Sequence, residues 1–91
     1  MTTEERLAQL NELLGEDTNV PYPTDLADAI IGIVEQFDKP PVVLLDRDKC
    51  IEILQEQWIS YEEAEEHLNY NVIGSYIGDQ TPMFATLIKE D

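Results

Sequence analysis

"DLADAIIGIVEQFDKPPVVLLD", residues 25–46, is the stretch on which the fold turns, because the end of its helix and the start of its strand place everything that follows. Leu26, Ile30, Ile33, Val34 and Phe37 recur at helical spacing, with Asp25, Asp28 and Glu35 on the other side. The spacing predicts a helix running from a cap at Thr24 or Asp25 to Phe37. Asp38-Lys39-Pro40-Pro41 ends it, since the ring of Pro40 disfavours helical backbone at Lys39. Val42–Leu45 is then an unbroken apolar run, the pattern of a short strand covered on both faces.

Towards the N-terminus, Thr2 and Glu5 have the spacing of a capping box, and Gly15 is a natural stop, so a first helix is expected over residues 3–14. Leu7, Leu10 and Leu14 share one face, with Leu13 at its edge. A helix this short needs a packing partner. Residues 1–15 are therefore expected either to attach loosely to the domain or to pair between subunits through Leu7, Leu10 and Leu14 in a homo-oligomer. Residues 16–23 form a polar, proline-punctuated connection.

Towards the C-terminus, Asp46 or Asp48 caps a third helix with Cys50, Ile51, Leu54 and Trp58 on its apolar side. Ser60 and Glu63 form a second capping box, and Ile59 and Ala64 occupy staple positions. A fourth helix is expected from Tyr61 to about Asn71, with Tyr61, Ala64, Leu68 and Val72 inward. Val72–Ile77 and Met83–Ile88, rich in β-branched and aromatic residues around Gly78–Pro82, predict a C-terminal β-hairpin. The expected fold is a single α+β domain over residues 1–91, in the order α-α-β-α-α-β-β, with helices packed on a short sheet.

The charge narrows the function. Five basic residues stand against twenty acidic ones, for a net charge of −15. Direct nucleic-acid binding needs clustered Lys and Arg to displace counterions, and Arg6, Lys39, Arg47, Lys49 and Lys89 are few and scattered. An anionic membrane would repel the chain, while a protein with a basic surface would be attracted and its encounter accelerated. The single cysteine favours a reducing compartment, the start "MTTEERLAQL" lacks the basic and apolar regions of a signal peptide, and no apolar run approaches bilayer length. The expected location is cytoplasmic.

Chemistry has few places to reside. Gly74 and Gly78 lack the spacing and the lysine of a phosphate loop, so Gly74 is expected to relax a helix-to-strand junction and Gly78 to supply positive φ at a turn. Asp46 and Asp48 follow an apolar strand as D-x-D, which resembles the strand motif of haloacid dehalogenases. A metal-assisted phosphoryl-transfer or hydrolytic enzyme using Asp46, Asp48 and Glu52 is the alternative reading, set against helix capping by the same aspartates. An EF-hand is excluded by Cys50, Ile51 and Gln57 at positions that need an oxygen ligand, a glycine and a glutamate. His67 and Cys50, one of each in the chain, make no closed zinc site; Glu63 and His67 suit an exposed ion pair, and Cys50 suits the core. No cofactor and no metal are expected.

The remaining candidate is a surface. Helical geometry sets Glu62, Glu63, Glu66 and Tyr70 on the outer side of the fourth helix, and Asp79 at the tip of the expected hairpin. An aromatic among carboxylates suits a basic protein partner. A sharper version is DNA mimicry, with ordered carboxylates standing in for phosphates to inhibit a nucleic-acid-binding protein.

The segment "YEEAEEHLNYNVIGSYIGDQTPMF", residues 61–84, carries a resemblance. It is similar to small acidic proteins of tailed bacteriophages and prophages, of unknown function, that share a segment E-A-x-E-x-x-x-Y-N-V-x-G-x-Y-x-G-x-x-T-P-x-F. Glu63, Ala64, Glu66, Tyr70, Asn71, Val72, Gly74, Tyr76, Gly78, Thr81, Pro82 and Phe84 carry the match, which covers about residues 40–88. That family has no assigned catalytic or binding residues to transfer, and it commonly has an aromatic where His67 stands. The resemblance implies a phage accessory protein that occupies a host or phage macromolecule in the host cytoplasm. A purely structural or oligomerising role is the other alternative.

Overall fold

The computed structural model describes residues 1–15, 19–57, 60–74 and 78–90, and shows an α+β fold. Trp58, Ile59 and the stretch 75–77, which figure in the expectations above, lie outside the described residues. No helix among the described residues is long and apolar enough to cross a membrane.

Helix α1 spans Thr3–Leu14. Its capping box is closed: the Glu5 amide donates to the Thr2 hydroxyl and the Thr2 amide to the Glu5 carboxylate, each at 3.1 Å. Gly15 ends it at φ +63°, a conformation that costs glycine little. Leu10 and Leu14 are buried in the same core as Leu26, Leu45 and Ile51, with Leu7 packed against it. The leucine face expected to pair between subunits is thus covered within the chain, and Leu13 is left 59% exposed.

Residues 24–37 depart from the expected helix. A short 3-10 turn, Thr24–Ala29, gives way to strand β1, Ile30–Gln36. β1 returns through Phe37-Asp38 into strand β2, Lys39–Asp46. The reason is chemical as well as geometric. Ile30, Ile31, Ile33 and Val34 are stiff at χ1 and fit a pleated surface better than a helix, and Gly32 further weakens a helix. Asp38 takes φ +62° at the turn, which an aspartate tolerates better than most residues. The apolar spacing that suggests a helix also lets Ile30 and the partly covered Ile33 serve the core from a strand, because that strand is irregular.

The irregularity lies in the register. Ile30 pairs with Leu45 and Gly32 with Leu44, so Ile31 is the extra residue on β1. Val34 pairs with Val42 and Gln36 with Lys39, so Pro40 and Pro41 together face Glu35. A bulge is where prolines can enter a strand without removing a ladder hydrogen bond.

β2 is the central strand. Strand β3, Met83–Ala85, lies on its other side and pairs in parallel, Leu44 with Met83, Leu45 with Phe84 and Asp46 with Ala85. The apolar run Val42–Leu45 is covered as such a central strand should be, with Val43 and Leu45 fully buried.

The expected C-terminal hairpin is therefore not formed. Helix α2 covers Arg47–Gln55 and helix α3 Tyr61–His67, after which Leu68–Ile73 continues as a wider helical turn of the π type. Val72 is thus helical rather than the start of a strand, and among the described residues after it the first in the sheet is Met83. Ala64 and Leu68 point fully into the core and Val72 packs against it, which holds the helical course. Tyr61, expected inward, is 49% exposed in the first turn.

Candidate functional site

Helix α3 begins with the Ser60 hydroxyl accepting from the Glu63 amide at 3.1 Å. Arg47, at the start of α2, orients the helix from the side: its guanidinium reaches Glu65 Oε2 at 3.4 Å and Asn69 Oδ1 at 3.3 Å. With Ala64 and Leu68 inward and Glu65 spent on Arg47, the outward positions are settled. Glu62, Glu63 and Glu66 are exposed, and Tyr70 is 77% exposed on the wider turn that follows. Four of the expected site residues thus sit on the exposed part of one continuous helical stretch.

Asp79, the fifth, is also exposed, but not at the tip of a hairpin. It lies in a tight turn in which the Thr81 hydroxyl and amide both donate to the Gly78 carbonyl, at 2.6 and 3.2 Å. Gly78 adopts φ +106° there, the positive value expected of it. Gly74 ends the helical stretch, and the residues that follow it lie outside the described ones. Its φ is ordinary, and a Cβ would stand 3.1 Å from the carbonyl oxygens of both Asn69 and Tyr70. A side chain there would press on the last helical turn, whose backbone would have to give by a few tenths of an ångström.

The D-x-D aspartates have structural partners. Asp46 Oδ1 accepts from the amides of Asp48 and Lys49, at 3.0 and 3.4 Å, and so caps α2. Asp48 Oδ2 meets Lys89 Nζ at 3.3 Å, tying the segment after β3 to the start of α2. Glu52 is exposed, one turn further along α2. Among the described residues no three His, Cys, Asp or Glu side chains gather closely enough to hold a metal ion. His67 is half-buried.

Cys50 is fully buried among α2 and its neighbours. Burial pushes its thiol up to about 12, the Asp46 carboxylate adds to the shift, and Arg47 opposes it. A thiol so placed stays protonated near neutral pH and is a poor nucleophile.

A second surface was not foreseen. Met1, Gln9 and Leu13 of the N-terminal segment face Ile31 and Gly32 of β1 across a groove. Reading residues 24–37 as a helix concealed it, although the density of β-branched residues around Gly32 was the available sign of a strand.

No protein-family model, no curated protein and no solved structure matches the chain.

Proposed function

We propose that the chain is a non-enzymatic interaction protein whose acidic α3 face docks on the basic surface of another protein. The observation that carries this reading is the joint exposure of Glu62, Glu63, Glu66 and Tyr70 on one side of a helix whose other side is locked into the core. Carboxylates on a rigid element give electrostatic complementarity, which steers encounter and selects a partner, and Tyr70 supplies the apolar contact that carries affinity. Asp79 extends the acidic surface. The resemblance to small phage proteins suits such a role, with a host or phage macromolecule as the target in the host cytoplasm.

The test is affinity capture from bacterial lysate with the wild-type chain and with Tyr70→Ala, each at low and raised salt. A partner bound through this face elutes as salt rises and is captured about tenfold less by Tyr70→Ala. Capture that is indifferent to both salt and Tyr70 would end the proposal.

A further inference from the structure

The groove between α1 and β1 has a volume of about 220 Å³. Sites for drug-sized ligands run from about 300 to 1,000 Å³, so an occupant here is small. Three observations give its chemistry.

The first is an unpaired cation. Arg6 is half-buried and lines the groove. Its Nη1 donates to the Ile30 carbonyl, its Nε is buried with no acceptor, and it makes no ion pair among the described residues. Arg47, the other arginine, is also half-buried and is paired with Glu65. A charge withdrawn from water calls for a counter-charge and for acceptors on its hydrogens. The chain holds twenty acidic residues, yet none of those described lines this groove. The counter-charge of Arg6 is thus left to come from outside. A buried donor without an acceptor is itself a sign of a missing polar partner.

The second is another donor. Gln9 lies three residues from Arg6, on the same face of α1, and also lines the groove. Its Nε2 has the Met1 sulfur at 3.9 Å, and a thioether is a weak acceptor. Two neighbouring donors are therefore short of good acceptors.

The third is the apolar remainder. Leu13 and Ile31 line the groove while 59% and 44% exposed, beside the buried Leu10 and Ile30. Gly32 leaves room next to them, since a Cβ built there would meet nothing within 4 Å.

We infer that this groove binds a small aliphatic monocarboxylate. The carboxylate accepts from the Arg6 guanidinium and the Gln9 amide, and hydrogen bonds between ionised groups are the strong ones. The short alkyl chain lies against Leu13 and Ile31, in the space that Gly32 leaves. Arg6 rejects an amine of the same length by like charge, and an alcohol forfeits the charge-assisted bonds. The site uses α1 and β1 and does not depend on the role proposed for α3.

The experiment titrates the full chain, labelled with ¹⁵N, with hexanoate, read by amide shifts and by the Nε–H signal of Arg6. Saturable binding with a Kd of about 1 mM is the expected result for a ligand of this size, with shifts at residues 6–13 and 30–33. Acetate, which lacks the chain, and hexylamine, which has the wrong charge, should each bind at least about tenfold more weakly. Arg6→Gln should weaken hexanoate binding about tenfold or more. Gly32→Val is a second variant that should keep the fold, because nothing stands where its side chain goes, and should weaken binding as much by filling the groove. No saturable shifts, hexylamine bound as tightly as hexanoate, or affinity unchanged in both variants would each overturn the inference. So would a peptide ending in a free leucine carboxylate that binds about tenfold more tightly than hexanoate, which would give the groove to a protein C-terminus.

Discussion

The β1–β2 hairpin and the stretch from Leu68 to Ala85 draw on the same materials, β-branched and aromatic side chains broken by glycine, and build different things from them. In the hairpin, Ile30–Gln36 meets an eight-residue partner strand across a two-residue turn. In the second region Leu68 is already committed to the core as the continuation of α3, and Arg47 holds Asn69, so the chain stays helical to Ile73. Among its described residues only Met83–Ala85 pairs with the free side of β2. The difference teaches that β-propensity becomes a strand only where an unfilled ladder lies within reach.

The largest effects should come from the residue each region places at the centre of the core. Leu45→Ala and Leu68→Ala, both fully buried, should each cost about 3 kcal/mol in urea unfolding. Met83→Ala, at the half-exposed start of β3, should cost under about 0.5 kcal/mol. A cost for Leu68→Ala no greater than that for Met83→Ala would break the claim that Leu68 holds the second region helical.

The glycines sharpen the contrast. Gly78→Val forces a β-branched residue to φ +106° and should cost about 1–3 kcal/mol. Gly32→Val should change stability by no more than about 0.5 kcal/mol. The same substitution therefore separates a glycine held at positive φ from one beside a bulge with open space around it, by thermal unfolding of the two variants side by side.

Next in size are the caps that follow each region's entry into a helix. Asp46→Ala and Ser60→Ala should each cost about 1 kcal/mol. The Asp46 effect should be the greater, because its carboxylate accepts from two amides.

At neutral pH the smallest effects are those that titration reveals away from it. Cys50 has its folded pKa raised from 9.0 to about 12, so its contribution is fully present below pH 9 and is lost as pH rises from there towards 12. Stability measured across that window should fall more steeply for the wild type than for Cys50→Ala. Glu5 has its pKa lowered by the Thr2 amide and then by the Thr2 hydroxyl, so its contribution is present at neutral pH and is lost as acid protonates the carboxylate. Amide exchange at the start of α1 should quicken in acid, and Glu5→Gln should blunt that change.

Much of this was legible in the residues. The capping signals at Thr2, Asp46 and Ser60, the covered run at Val42–Leu45 and the outward carboxylates of α3 all follow from local chemistry, and local chemistry is what sequence carries. Ile30–Val34 was not, because a doubly bulged strand can present apolar residues at a spacing that imitates a helix. The second error had the same root, since whether Val72–Ile77 or Val42–Leu45 partners Met83–Ala85 is a long-range choice that no local pattern records. The groove followed the first error, because Ile31 and Gly32 face α1 only once they belong to β1.

The central claim is that the α3 carboxylates, rather than acidity in general, engage a basic partner. Its most direct test compares two triple variants with the same change in net charge, at positions that are all exposed: Glu62→Lys, Glu63→Lys, Glu66→Lys against Asp25→Lys, Glu52→Lys, Glu56→Lys. The measurement is the amount of salt-sensitive partner each retains in affinity capture. The account predicts that the α3 variant loses capture by about tenfold or more while the other stays close to wild type. Equal losses in the two would contradict it.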